Sequence, residues 1–141
     1  PDGLARVLDA ISEVTPGRVH VVFGCGGNRD ADKRPEMGAA AARGADRVVI
    51  TADNSREEDT EVIIEAILAG VRRVPSPRAS EVLVEPDRAH AIQRALDGAS
   101  PGDAVVLAGK GHETTQDIGG EVRPFDDRAV ARAWLARGGE G

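Results

Sequence analysis

Short runs of β-branched and aliphatic residues alternate along this chain with stretches of helical periodicity, and that alternation confines it to the α/β class. The strand runs are Arg18 to Phe23, Arg47 to Thr51, Glu81 to Glu85 and Ala104 to Ala108. Ahead of the first, Leu4, Leu8, Ile11 and Val14 share one helical face, closed by Thr15-Pro16-Gly17. Pro35 stands where a first-position proline would, opening a helix through Met37 and the alanines to Arg43. Thr60 to Ala69 carries Ile63, Ala66 and Ile67 on one face, with Gly70 as the expected stop. Pro86 to Ala99 directs Ala89, Ile92 and Leu96 inward. Strands separated by helices require right-handed crossovers, which predicts a mostly parallel sheet. The segment Val74 to Ser80, with Pro75-Ser76-Pro77, reads as a surface crossover, and Gly111 to Phe125, with Gly119-Gly120, as a turn or small hairpin. Asp126 is placed to cap a last helix whose Val130 and Trp134 form the buried stripe.

At 141 residues the chain is expected to form a single domain, residues 1–141. Only 2% of it is aromatic, so the core must be built from Val, Ile, Leu and Ala, with Met37 and Trp134 added. A net charge of −6 argues against a nucleic-acid or anionic-membrane surface, and the basic residues that matter are local: Arg29, Lys33, Arg34 and Arg56. Cys25 is the single cysteine, which excludes an intramolecular disulfide and suits a reducing compartment. No apolar run approaches the roughly 18 residues of a membrane helix and no signal-peptide pattern opens the sequence, so a cytoplasmic location is expected. Because the sequence opens on a helix where a βα sheet begins with a strand, the natural protein is expected to extend upstream of Pro1.

Three loops rich in glycine and charge follow strand runs: Gly24 to Pro35, Thr51 to Glu58 and Ala108 to Glu113. In an open parallel sheet the loops leaving the carboxyl ends of the strands converge on one crevice, so these three can face one small, multiply charged ligand. The first is not a dinucleotide fingerprint, since Arg29 occupies the place of the third glycine. Gly109 to Thr114 lacks the spacing of a phosphate loop. Arg29 and Arg56 are candidate carboxylate or phosphate clamps, because a guanidinium meets a planar anion with two parallel hydrogen bonds. The competing reading is solvated charge, or ion pairs to Asp30, Glu57 or Glu58. Asp53-Asn54-Ser55 reads either as part of the site or as an Asx turn capping a helix near Glu57. Glu113 could accept a ligand ammonium or pair with Lys110, while Gly109 and Gly111 permit close backbone approach. His20, His90 and His112 read as structural or loop-orienting, Cys25 as a small buried filler, and no His, Asp or Glu set has metal-ligand spacing.

Four ordered segments then carry a resemblance: Val22 to Asp30, Asp53 to Arg56, Ala108 to Glu113, and Arg123-Pro124-Phe125-Asp126-Asp127-Arg128. Together they resemble the C-terminal domain of the Mur ligases of peptidoglycan synthesis, above all the branch that adds 2,6-diaminopimelate, from about Gly17 to Trp134. The resemblance implies a Rossmann-like α/β fold, a mostly parallel sheet with helices on both faces. It implies that Arg29, Asp53, Asn54, Ser55, Arg56, Gly109 and Glu113 bind the incoming amino acid and that Lys33 approaches the ATP phosphates. Ser55 replaces the proline of the family's Asp-Asn-Pro-Arg motif, Asn28 stands in place of an aspartate and Asp32 in place of a glycine. The family's N-terminal UDP-sugar domain and central ATPase domain have no counterpart in these residues, so the chain is expected to be a fragment without activity of its own. In the family chemistry ATP and Mg²⁺ activate the D-glutamyl carboxylate of UDP-N-acetylmuramoyl-L-alanyl-D-glutamate and the amine of diaminopimelate attacks the acyl phosphate. This domain then orients the amine and contributes no catalytic acid, base or metal ligand, and a monomer is expected. The alternatives are a lysine- or ornithine-adding ligase, disfavoured because Arg56 asks for a second carboxylate, and a noncatalytic dinucleotide- or ligand-binding Rossmann-like module.

Overall fold

Every residue of β1 (Val19–Phe23) is buried, and the alternation of side chains along it sorts the core into two layers. Val19, Val21 and Phe23 face a cluster with Leu4 and Leu8 of α1 (Asp2–Val14), Ala40 and Ala41 of α2 (Lys33–Gly44), and Ile63, Ile64 and Ile67 of α3 (Thr60–Arg72). Val22 faces the opposite side, against Ala91, Ile92 and Ala95 of α4 (Arg88–Asp97). The computed structural model describes residues 2–25, 33–53, 59–108, 115–118 and 121–124. Within them β2 (Arg47–Ile50), β3 (Glu81–Val84) and β4 (Ala104–Leu107) join β1 in a four-stranded, wholly parallel sheet of order β3-β2-β1-β4. Val21 pairs with Val48 on one side and Val106 on the other, which makes β1 a central strand. The expected α/β architecture with helices on both faces is therefore the observed one. The expected turn or small hairpin corresponds to β5 (Thr115–Ile118) paired antiparallel with β6 (Glu121–Pro124).

Five local expectations change. Gly70 does not stop α3, which runs on to Arg72. A Cβ at Gly70 would lie 1.7 Å from the carbonyl oxygen of Pro35, and one at Gly38 would lie 2.1 Å from that of Ile67. Both glycines instead let α2 and α3 lie backbone against backbone. Pro35 is the third residue of α2 rather than the first, which is tolerated because N–H groups in a first turn have no intrahelical acceptor. On α4 the buried stripe is Arg88, Ala91, Ile92 and Ala95, while Ala89 and Leu96 are only half-buried. Val14, the final residue of α1, is exposed. The cap of α3 is Asp59, which accepts from the backbone N–H of Glu61, so Asp53 does not cap that helix. The last-helix residues Asp126, Val130 and Trp134 lie outside the described residues. Met37 is half-buried against the larger cluster, as a core residue should be.

Candidate functional site

Because the four strands are parallel, their carboxyl ends share one edge, and the order reverses direction beside β1, whose successor β2 lies on one flank and β4 on the other. Such a reversal opens a crevice in which ligands of α/β sheets bind. The chain leaves β1 through Gly24 and Cys25, β2 through Thr51, Ala52 and Asp53, and β4 through Ala108. Backbone bonds from Thr51 to Phe23 (2.9 Å) and from Ala108 to Val22 (2.9 Å) carry the ladder one residue past the strands. The first two exits touch, since a Cβ at Gly24 would lie 2.3 Å from the carbonyl oxygen of Thr51 and 2.8 Å from the nitrogen of Asp53. Only glycine fits there.

Among the described residues, three charged side chains are buried at this edge. Asp53 is 8% exposed, Arg34 in the first turn of α2 is 4% exposed, and Arg88 in the first turn of α4 is 1% exposed. Arg88 donates from Nη1 to the carbonyl oxygen of Ala52 at 3.1 Å and from Nη2 to that of Ala108 at 3.2 Å. One guanidinium thus ties the exit of β2 to the exit of β4 across the end of β1. Cys25 is half-buried, and burial pushes its thiol up to about 11; Arg34 pulls it down and Asp53 adds to the rise. A protonated thiol of this kind is a filler and not a nucleophile.

Of the residues singled out in the sequence, Asp53 lies in this edge and Lys33 opens α2 with its side chain exposed. Arg29, Asn54, Ser55, Arg56, Gly109 and Glu113 lie outside the described residues, as do Lys110, Gly111 and His112. The described residues from which their segments depart, Cys25, Asp53 and Ala108, all belong to the carboxyl edge. His20 is structural as expected, fully buried with Nε2 2.8 Å from Asp103. His90 is exposed on α4. Among the described residues no group of three His, Cys, Asp or Glu side chains could hold a metal ion. None of the described helices is long and apolar enough to cross a membrane. A cavity of about 540 Å³ lies elsewhere, among Asp9, Glu36, Arg43 and Arg73, and a second of about 310 Å³, lined by Leu4, Val7, Met37 and Leu107, reaches Ala108. None of the residues at the three strand exits lines the first.

Arg88 was the residue missed by reading the sequence. Its signal was present, since an arginine three and four residues ahead of Ala91 and Ile92 falls on the inward stripe of a helix.

Residues 1–111 match the family model described as Mur ligase, glutamate ligase domain. The chain belongs to the Mur ligase family. A relative in Streptomyces avermitilis, named UDP-N-acetylmuramoyl-L-alanyl-D-glutamate--2,6-diaminopimelate ligase, is 54% identical over 131 residues, covering 93% of this chain and 26% of the relative. The protein of the same name in Synechococcus elongatus is 52% identical over 136 residues, covering 96% of this chain and 26% of its own length. A solved structure of a ligase with that name superposes with a TM-score of 0.89 at 39% identity, covering 98% of this chain and 28% of the other. This Mur ligase chain therefore spans about a quarter of the length of the relatives it matches.

Proposed function

We propose that this chain is the amino-acid-binding domain of an ATP-dependent ligase that adds diaminopimelate to UDP-N-acetylmuramoyl-L-alanyl-D-glutamate in peptidoglycan synthesis. The observation that carries the reading is the meeting of three strand exits at one edge, each leading into a segment of the family resemblance, in a chain about half identical to relatives of that name. Arg29, Asp53, Asn54, Ser55, Arg56, Gly109 and Glu113 form the site. Arg56 takes the distal carboxylate as a bidentate partner and Glu113 accepts from the distal ammonium. The domain lowers the barrier by holding the attacking amine in place and donates or removes no proton. ATP and Mg²⁺ are held by the remainder of the enzyme, and Lys33, exposed at the start of α2, approaches the phosphates. The whole enzyme works as a cytoplasmic monomer, and residues 1–141 alone catalyse no ligation.

Diaminopimelate differs from lysine by one carboxylate beside the distal ammonium. If lysine binds, Arg56 is left without that partner, and truncating one side of a desolvated charge pair costs about 2–5 kcal/mol. In the full-length enzyme Arg56→Ala should therefore reduce kcat/KM for diaminopimelate far more than for lysine, whereas Glu113→Ala should weaken both. An unchanged preference for diaminopimelate in Arg56→Ala overturns the reading.

A further inference from the structure

The geometry points to Arg88 as the positioning residue of the amino-acid site, setting the separation between the segment that carries Arg56 and the segment that carries Glu113. This rests on the site proposed above. Ala52, one acceptor of Arg88, is followed directly by Asp53 and the residues up to Arg56; Ala108, the other, is followed directly by Gly109 and the residues up to Glu113. The two exits are not neighbours. They flank β1, so they belong to strands two places apart in a sheet whose strands are spaced about 4.8 Å. No backbone hydrogen bond can join strands at that remove, and Gly24, at the exit of the strand between them, has no side chain to do so.

A guanidinium can, because its two terminal nitrogens diverge in a rigid plane and donate in different directions. The fork reaches this place because Arg88 lies in the first turn of α4, the helix covering the Val22 and Val49 face, and is held there with 1% exposure. Asp87 caps that turn through the backbone N–H of His90, at 3.2 Å. A lysine at the same place donates from a single nitrogen and lacks the fixed spacing of the two terminal nitrogens. The consequence is specific to the ligand: a site that measures the distance between a carboxylate clamp and an ammonium acceptor depends on whatever fixes that distance.

The test uses the full-length enzyme with Arg88→Lys and Arg88→Gln, measuring kcat, KM for diaminopimelate, ATP and the UDP-linked acceptor, and the melting temperature. Arg88→Lys should raise KM for diaminopimelate about 10- to 100-fold, the scale of a displacement near 1 Å in a positioned site, with the other two KM values within about twofold. Combined with Arg56→Ala, the loss should be smaller than the product of the two single losses, because both act on one contact. A diaminopimelate KM that stays within twofold of wild type overturns the inference, and so does a parallel rise in all three KM values. Failure of both variants to fold also overturns it, since Arg88 would then serve the fold alone. Arg56→Ala separates the layers of the argument: if it leaves KM for diaminopimelate unchanged, the site falls and the inference with it. If it raises KM while Arg88→Lys does not, only the inference falls.

Discussion

The two edges of the parallel sheet solve opposite problems with opposite charges. At the amino edge, carboxylates collect backbone N–H groups: Asp103 accepts from the N–H of Arg18 (2.8 Å), the N–H of Ser100 (3.0 Å) and His20 Nε2 (2.8 Å). Asp46 accepts from the N–H of Val19 (2.8 Å) and from two nitrogens of Arg78 (3.1 and 3.0 Å). These bonds hold both carboxyls below the usual carboxylate range, Asp103 chiefly through His20 and Asp46 chiefly through Arg78. At the carboxyl edge a guanidinium collects carbonyl groups, with Arg88 on Ala52 and Ala108. The amino edge returns its chain through short turns at Pro16-Gly17 and Gly102-Asp103, so its charges close on one another. The carboxyl edge sends its chain out into the segments that carry the proposed site. One edge is built for stability and the other for position. Arg47 and Arg88 make the same point along one helix, because Arg47 caps the last carbonyls of α4 at Arg94 and Ala95 while Arg88 leaves its first turn for the crevice.

The comparison breaks most readily at Asp103. Asp103→Ala removes the acceptor of three donors and should cost about 3 kcal/mol in urea denaturation, while KM for diaminopimelate in the full-length enzyme stays unchanged. A marked rise in that KM would mean that the edges are not separate. The pH dependence sharpens the same point. For a carboxyl whose folded pKa is depressed, the stabilisation is complete above the unfolded value of about 4 and is lost as pH falls through the folded value. Stability should therefore fall as the solution is taken from pH 5 toward pH 2, and Asp103→Asn should flatten that decline.

Gly24→Ala is the matching change at the other edge. Its Cβ would meet backbone atoms of Thr51 and Asp53 at 2.3 and 2.8 Å, so the exits of β1 and β2 must separate, at about 1–3 kcal/mol of overpacking. Unlike Asp103→Ala, it should also raise KM for diaminopimelate. A variant that melts lower with KM unchanged would place both edges in the service of stability.

The smallest effect is at Cys25. With its thiol pushed up from 9.0 to about 11, the folded chain holds about a hundredfold less thiolate at pH 8 than the unfolded chain. Alkylation by iodoacetamide at pH 8 should accordingly be slow until denaturant is added. The stabilisation linked to this group is present below the unfolded pKa and is lost as pH rises toward 11. Rapid alkylation of the folded chain would show that the carboxyl edge is open to solvent.

The sequence by itself determined the alternation of strands and helices, the parallel sheet, the three segments that follow strands β1, β2 and β4, and membership of the Mur ligases through motifs in those segments. These are local properties: periodicity reports the backbone path and the face a side chain takes, and a motif reports residues adjacent in the chain. The tertiary structure decided what depends on residues far apart. Gly70 reads as a helix stop until Pro35 is found 1.7 Å from where its Cβ would stand. Asp53 reads as a candidate cap until Asp59 is seen capping α3. Arg88 falls on the inward stripe of its helix, but its partners emerge only where the carbonyls of Ala52 and Ala108, 36 and 20 residues away, are seen to receive it. A buried charge is tolerated only where its partners converge, and convergence is a property of the folded sheet.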